Sequence, residues 1–212
     1  MDSTIIYLIK NSEVTPKANL KKIVSKEYDE LFTSKSFLSV SGEKRAEQLS
    51  KYEELQNIDS VYSSSNISAL ETAKYIALEN NTIINIDDRL NEYKIGDMGD
   101  IDYKELYRLR TKDYNFKLSG GESFNQVKKR ITEALKSKIM FETGNRIAVV
   151  SHEGALTSLL SSWCNVGHNY DDEIILSFND KTIVDGSWTS PHVFKVTFDG
   201  MEVIDIEYLN IV

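Results

Sequence analysis

The sequence predicts an α/β fold: a three-layer α/β/α sandwich whose mostly parallel sheet is flanked by helices and ends in an antiparallel hairpin. Three observations carry this expectation. Short, wholly apolar runs such as Ile5-Ile6-Tyr7-Leu8-Ile9 and Ile147-Ala148-Val149-Val150 suit strands buried on both faces. Helical patterns separate these runs, which is the alternation of a parallel sheet. Near the end, two alternating runs flank Asp199-Gly200, the signature of a two-residue hairpin turn.

Taken in order, strands are expected over about 4–9, 59–63, 83–87, 146–151, 192–198 and 202–208. The first helix follows Ser41 and runs to about Leu55 in good helix formers. A second starts near Ser68-Ala69-Leu70-Glu71, which has capping-box spacing, or two residues earlier at Asn66. Ser123-Phe124-Asn125-Gln126 is a cleaner capping box. Behind it Phe124, Val127, Ile131, Leu135 and Ile139 fall on one helical face. Ala155 to Trp163 reads as a buried helix. The stretch from about 16 to 38, with Leu20, Ile23, Val24, Tyr28 and Leu31, reads as an inserted helical excursion near the mouth of any site at the first strand.

At 212 residues, with two prolines and no Gly/Ser linker, the chain is expected to form one domain over 1–212. A formal net charge of -8 argues against nucleic acid and anionic membranes as partners, while leaving room for a local cationic pocket. The N-terminal apolar run is too short for a secretion signal or a membrane span. One cysteine, Cys164, in an apolar helix-like stretch, suits an inert thiol and a cytoplasmic setting. His168 and His192 lack metal-ligand spacing to other His, Cys or Asp pairs, so no metal and no cofactor is expected. Asp171-Asp172-Glu173 reads as a solvated loop, and Ser119-Gly120-Gly121 as a helix-entry turn.

The strongest chemical signal lies where two apolar runs stop. One ends at Lys10-Asn11-Ser12-Glu13 and the other at Ser151-His152-Glu153-Gly154. Ligands of parallel α/β sheets sit at such carboxyl ends. Five segments in order resemble the histidine phosphatase superfamily, the phosphoglycerate-mutase-like family. Tyr7 to Val14 lies where that family has a strand followed by Arg-His-Gly-Glu-Thr. Val61 to Ala73 resembles its Ser-Ser-Pro-Leu-x-Arg-Ala stretch, and Arg89-Leu90-Asn91-Glu92 its Leu-x-Glu segment. Gly121-Glu122-Ser123 and Val150-Ser151-His152-Glu153-Gly154 complete the set.

The resemblance implies a phosphoglycerate mutase-like fold and a phosphate pocket. In that family the first histidine attacks phosphorus, two arginines and a second histidine hold the phosphate, and a carboxylate handles the proton. Here the nucleophile position is Asn11, and a carboxamide is a negligible nucleophile. Lys10 stands at the first arginine position, keeping charge but losing the bidentate fork. Ser68 stands at the second, and Ser12 replaces a glycine. His152 and Glu92 remain as remnants of the catalytic set. The resemblance therefore implies Lys10, Asn11, Ser12, Ser68 and His152 around phosphate or a phosphorylated small molecule, with phosphohistidine chemistry lost. Two alternatives stay open. One is a phosphomonoesterase using His152 and Glu92, with Lys10 and one of Lys17, Lys21, Lys22 or Arg89 supplying charge. The other is an interaction protein whose pocket is closed by the 16–38 excursion.

Overall fold

The computed structural model of the chain describes residues 3–16, 34–170 and 172–211. Its main sheet has six strands: β1 (Thr4–Lys10), β2 (Ser60–Ser63), β3 (Ile84–Ile86), β4 (Arg146–Ser151), β8 (His192–Asp199) and β9 (Glu202–Leu209). They lie in the order β3-β2-β4-β1-β8-β9. The first four pair in parallel, and β8 and β9 add an antiparallel edge. Register places Lys10 beside Ser151, so β1 and β4 end side by side.

Burial on both faces explains why the strand sequences are wholly apolar. Successive side chains alternate between two cores. Ile6, Leu8, Ile147 and Val149 pack on the face covered by α4 (Phe124–Phe141) and α5 (Glu153–Leu160). Tyr7, Ile9, Ala148 and Val150 pack on the other, under α1 (Val40–Ser50) and α2 (Ile67–Glu79). The three layers expected from sequence are present.

The helix boundaries follow their caps. Ser39 caps α1 through the Gly42 amide, two residues ahead of the expected start. Asn66, not Ser68, is the N-cap residue of α2. Ser123 and Gln126 form the reciprocal capping box of α4. The helix after His152 ends at Leu160, with turns leading on to Trp163. Gly200 and Met201 span the hairpin, so the turn sits one residue later than Asp199-Gly200 suggests; Gly200 supplies the positive φ of 58°.

Two features depart from the sequence reading. A second sheet of β5 (Asn165–His168), β6 (Ile174–Phe178) and β7 (Lys181–Asp185) is antiparallel and lies outside the six strands expected from sequence. A further helix, α3 (Tyr103–Lys112), is capped by Asp102 through the Glu105 amide. Most of the excursion expected over 16–38 lies outside the described residues. Its two ends are joined by a bridge between Val14 and Leu38.

Candidate functional site

The ends of β1 and β4 open into a pocket of about 550 Å³. Lys10, Asn11, Ser68, Glu92 and His152 line it, so five of the six residues expected at the site are together. Ser12 departs from that expectation. It is fully buried, its hydroxyl donates to the Gly42 carbonyl at 2.7 Å, and its amide donates to Thr72 Oγ1 at 3.0 Å. Its polar groups are consumed in joining β1 to α1 and α2. A Cβ on Gly42 would meet the Glu13 carbonyl oxygen at 2.0 Å, so only glycine permits this approach.

Asn11 is held at both ends of its amide. Nδ2 donates to the Ser12 carbonyl at 2.9 Å, which leaves Oδ1 as the acceptor 3.0 Å from His152 Nδ1. The other ring nitrogen, Nε2, lies 2.8 Å from Ser64 Oγ. A neutral imidazole protonated at Nδ1 satisfies this set, with Ser64 donating its proton to Nε2. Asn91 Oδ1, 2.7 Å from Ser64 Oγ, is a second acceptor for that same hydroxyl proton and also accepts from the Ser65 amide at 2.9 Å. Burial, with help from Arg130 and Lys10, pushes the His152 pKa down to about 3. The imidazole is therefore neutral near pH 7, and both nitrogens are engaged by the protein.

Ser64–His152–Asn11 has the connectivity of a serine triad, yet the hydroxyl is out of reach. Ser64 has 0% exposure, and its Oγ also accepts from the Asn66 amide at 3.1 Å. The chain of bonds ties together the ends of β1, β2 and β4.

Glu92 occupies the N-terminus of α5. Its Oε1 accepts from the Tyr93 amide at 2.9 Å and the Ala155 amide at 3.0 Å, and its Oε2 from the Gly154 amide at 3.0 Å. The carboxylate thus sits where helix geometry favours an anion, and it satisfies donors that the helix leaves unpaired. Burial raises its pKa, and the three amides oppose that rise. A Cβ on Gly154 would meet Glu92 Oε1 at 2.7 Å and the Tyr93 ring at 2.8 Å, so glycine makes this cap possible.

Lys10 also has a partner. Its Nζ lies 2.7 Å from Glu153 Oε2 and 6.0 Å from the centre of the Trp188 ring. Glu153, rather than Glu13 or Glu92, neutralises it. Ser68, 2% exposed at the start of α2, makes no side-chain hydrogen bond among the described residues. Arg89 is bound by Asp87 at 3.0 and 2.8 Å and does not line this pocket. Lys17, Lys21 and Lys22 lie outside the described residues.

The far wall contains what sequence reasoning missed. Tyr103, Leu106, Tyr107, Arg110 and Thr111 all line the pocket from α3. Their spacing puts them on one helical face. That spacing could have been read from the sequence, but α3 is strongly polar overall and carries only one fully buried residue, Leu106. Cys164 is buried, and burial lifts its thiol pKa to about 11, in keeping with an inert side chain. No cluster of three His, Cys, Asp or Glu side chains that could hold a metal occurs among the described residues, and no helix there is long and apolar enough to cross a membrane.

Comparison with known proteins agrees with the fold. Residues 26–184 match the model of the histidine phosphatase superfamily (branch 1). That span includes Ser68, Glu92 and His152 and begins after β1, so Lys10, Asn11 and Ser12 fall outside it. A curated relative, phosphoglycerate mutase-like protein 4 of Arabidopsis thaliana, is 34% identical over 155 residues. The alignment covers 68% of this chain and 66% of that protein, just under two thirds of the relative's length. Among solved structures, a mycobacterial glucosyl-3-phosphoglycerate phosphatase superposes with a TM-score of 0.68 at 16% identity, over 97% of both chains. The complex of that phosphatase with inorganic phosphate gives 0.67 at 15% identity, over 97% of this chain and 95% of that one. A putative alpha-ribazole-5'-P phosphatase from Escherichia coli gives 0.66 at 19% identity, over 98% and 96%. With a family model matched over most of its length, and the two strand ends of that fold meeting at one pocket, the chain belongs to the histidine phosphatase superfamily.

Proposed function

We propose that this family member has lost phosphohistidine catalysis and works as a ligand-binding protein, with phosphate or a phosphorylated small molecule as the ligand class. The observation that carries the reading is the Asn11–His152–Ser64 chain. A carboxamide stands where the family has its nucleophile, and it binds a neutral histidine whose second nitrogen is also taken. A phosphomonoesterase that used His152 as nucleophile would have to break the Ser64 bond first. Glu92 keeps an uncommitted lone pair on Oε2 and a raised pKa, so it could hold a proton, but it has no nucleophile to serve. Support for the ligand class comes from the pocket itself, which carries Lys10 and Arg110, and from the similar phosphatase structure that contains inorganic phosphate. The single buried thiol suits a cytoplasmic setting.

Loss of a nucleophile alone removes roughly three to six orders of magnitude in turnover. Release of phosphate from a generic phosphomonoester by the purified protein is expected to match a His152→Ala control, with no acid-labile phosphohistidine formed. Turnover above that control would overturn the reading. The combined Asn11→His, Lys10→Arg and Ser68→Arg protein then asks whether those three changes alone removed the activity.

A further inference from the structure

The two cations of the pocket differ in one respect. Lys10 is neutralised by Glu153 at 2.7 Å, whereas Arg110 forms no ion pair with a carboxylate among the described residues. Arg110 is half-buried and stacked on Tyr93, with Cζ 4.6 Å from the ring centre. Its Nη2 donates to the Glu122 carbonyl at 3.1 Å and, at longer range, to the Lys94 carbonyl at 3.4 Å. Nε is buried without a partner, and Nη1 makes no hydrogen bond among the described residues. The nearby acids are committed elsewhere: Glu122 to Arg130 at 2.9 Å, and Glu92 to three backbone amides. A guanidinium stays charged at any physiological pH, so this wall carries a partly desolvated positive charge that Glu92 and Glu122 favour electrostatically without forming an ion pair with it. Its planar fork suits an oxyanion better than an ammonium would.

The surface around this charge is aromatic. Tyr107 is fixed by the Ile174 amide, which donates to its hydroxyl at 3.1 Å. Trp188 stands edge-on to Phe194 at 5.3 Å. Tyr103 and Phe124 add further ring surface, with Leu106 and Ile95 between them. Rings already held by the fold lose little freedom on binding, and they favour a flat partner over a heavily hydroxylated one.

Resting on the reading of this pocket as a ligand site, we propose that it takes an aromatic ring carrying a phosphate monoester, of the chemical class of an aryl phosphate or nucleoside monophosphate, with Arg110 as the anion anchor in place of the strand-end residues. The phosphate pairs with Nη1 of the guanidinium, the nitrogen left uncommitted, and the ring lies against Tyr107 and Trp188.

The test is calorimetric titration of the full chain with phenyl phosphate, adenosine monophosphate, ribose 5-phosphate and inorganic phosphate, with released phosphate measured in the same samples. One or both aromatic probes are expected to bind at least about tenfold more tightly than the two that lack a ring, and their order separates the aryl from the nucleoside source. Arg110→Gln is expected to weaken the better probe about tenfold or more. Lys112→Gln, which removes the same charge from an exposed position on the same helix, is expected to leave affinity unchanged. Equal binding of ribose 5-phosphate, an unaffected Arg110→Gln protein, or no binding of any probe would overturn the proposal. Should circular dichroism show Arg110→Gln to be unfolded, Arg110→Lys decides instead, and unchanged affinity in that variant would overturn it. Hydrolysis of a bound probe would end the non-catalytic reading while leaving Arg110 as anchor. Failure to bind would leave the non-catalytic reading of Asn11 and His152 untouched.

Discussion

The floor of the pocket and its far wall are built on opposite principles. At the floor, Asn11, His152 and Ser64 hold one another through bonds of 3.0 and 2.8 Å, and Ser12 is tied off behind them. At the wall, Arg110 has a buried Nε without a hydrogen-bond partner and forms no ion pair among the described residues. A saturated polar set stabilises a fold and has little left to offer a ligand. A partly buried charge without an ion-pair partner costs stability and is retained most simply where something else binds it. The contrast teaches that the strand-end residues serve as joints of the scaffold, and it is the basis for the proposal that recognition rests on a helix.

That contrast can be broken most severely at Glu92, the joint between the two regions. Glu92→Ala would leave the Tyr93, Gly154 and Ala155 amides without their acceptor. A loss of about 3 kcal/mol in unfolding free energy is expected by urea denaturation. A change below about 1 kcal/mol would mean that water replaces the carboxylate and that the joint is weak.

Next in size is the response to acid. The His152 pKa is depressed to about 3 from 6.5, and that of His192, by burial first, to about 4. For both, the unfolded chain binds the proton more readily than the folded one. Their contribution is therefore complete above pH 6.5 and is lost as pH falls toward the folded values. His152 alone is expected to cost roughly 2 kcal/mol by pH 5, with His192 acting in the same direction. Thermal melts between pH 7 and 5 check this. A His152→Gln protein with the same acid response would remove His152 from the account. Glu92 acts in the opposite sense: its folded pKa is raised, so its titration favours the folded state toward low pH and partly offsets the histidines.

The finest distinction compares two serines a few residues apart. Ser64→Ala removes the partner of His152 Nε2 and the acceptor of the Asn66 amide, and about 2 kcal/mol of destabilisation is expected. Ser68→Ala removes a pocket-lining hydroxyl without a protein partner among the described residues, so a change within about 0.5 kcal/mol is expected. Equal effects would show that the floor is less tightly joined than its bond lengths imply.

Much of this architecture was legible in residue patterns because the cause is local. Ile6 and Tyr7 face opposite cores simply because strand side chains alternate, and Ser123 with Gln126 caps α4 within four residues. The second sheet was not legible. Asn165 to His168 is short and mostly exposed, and its strand character comes from pairing with Ile174 to Ser177. The site divides in the same way. Lys10, Asn11, Glu92, His152 and Ser68 were found because they follow apolar runs or fall within family motifs. Arg110 was not, because nothing around it in the chain marks it out from any other arginine on a polar helix.

By itself, then, the sequence determined the layers of the fold, the strand ends that meet, and the presence of a carboxamide, Asn11, just past the end of the first strand. The tertiary structure decided which groups remain available. Asn11 and His152 are 141 positions apart, Lys10 and Glu153 143, and Ser64 and His152 88. A hydrogen bond or an ion pair is satisfied by whatever the fold brings within about 3 Å, and chain patterns act over only a few residues. For that reason the composition of the site could be read along the chain, and its charge balance only in space.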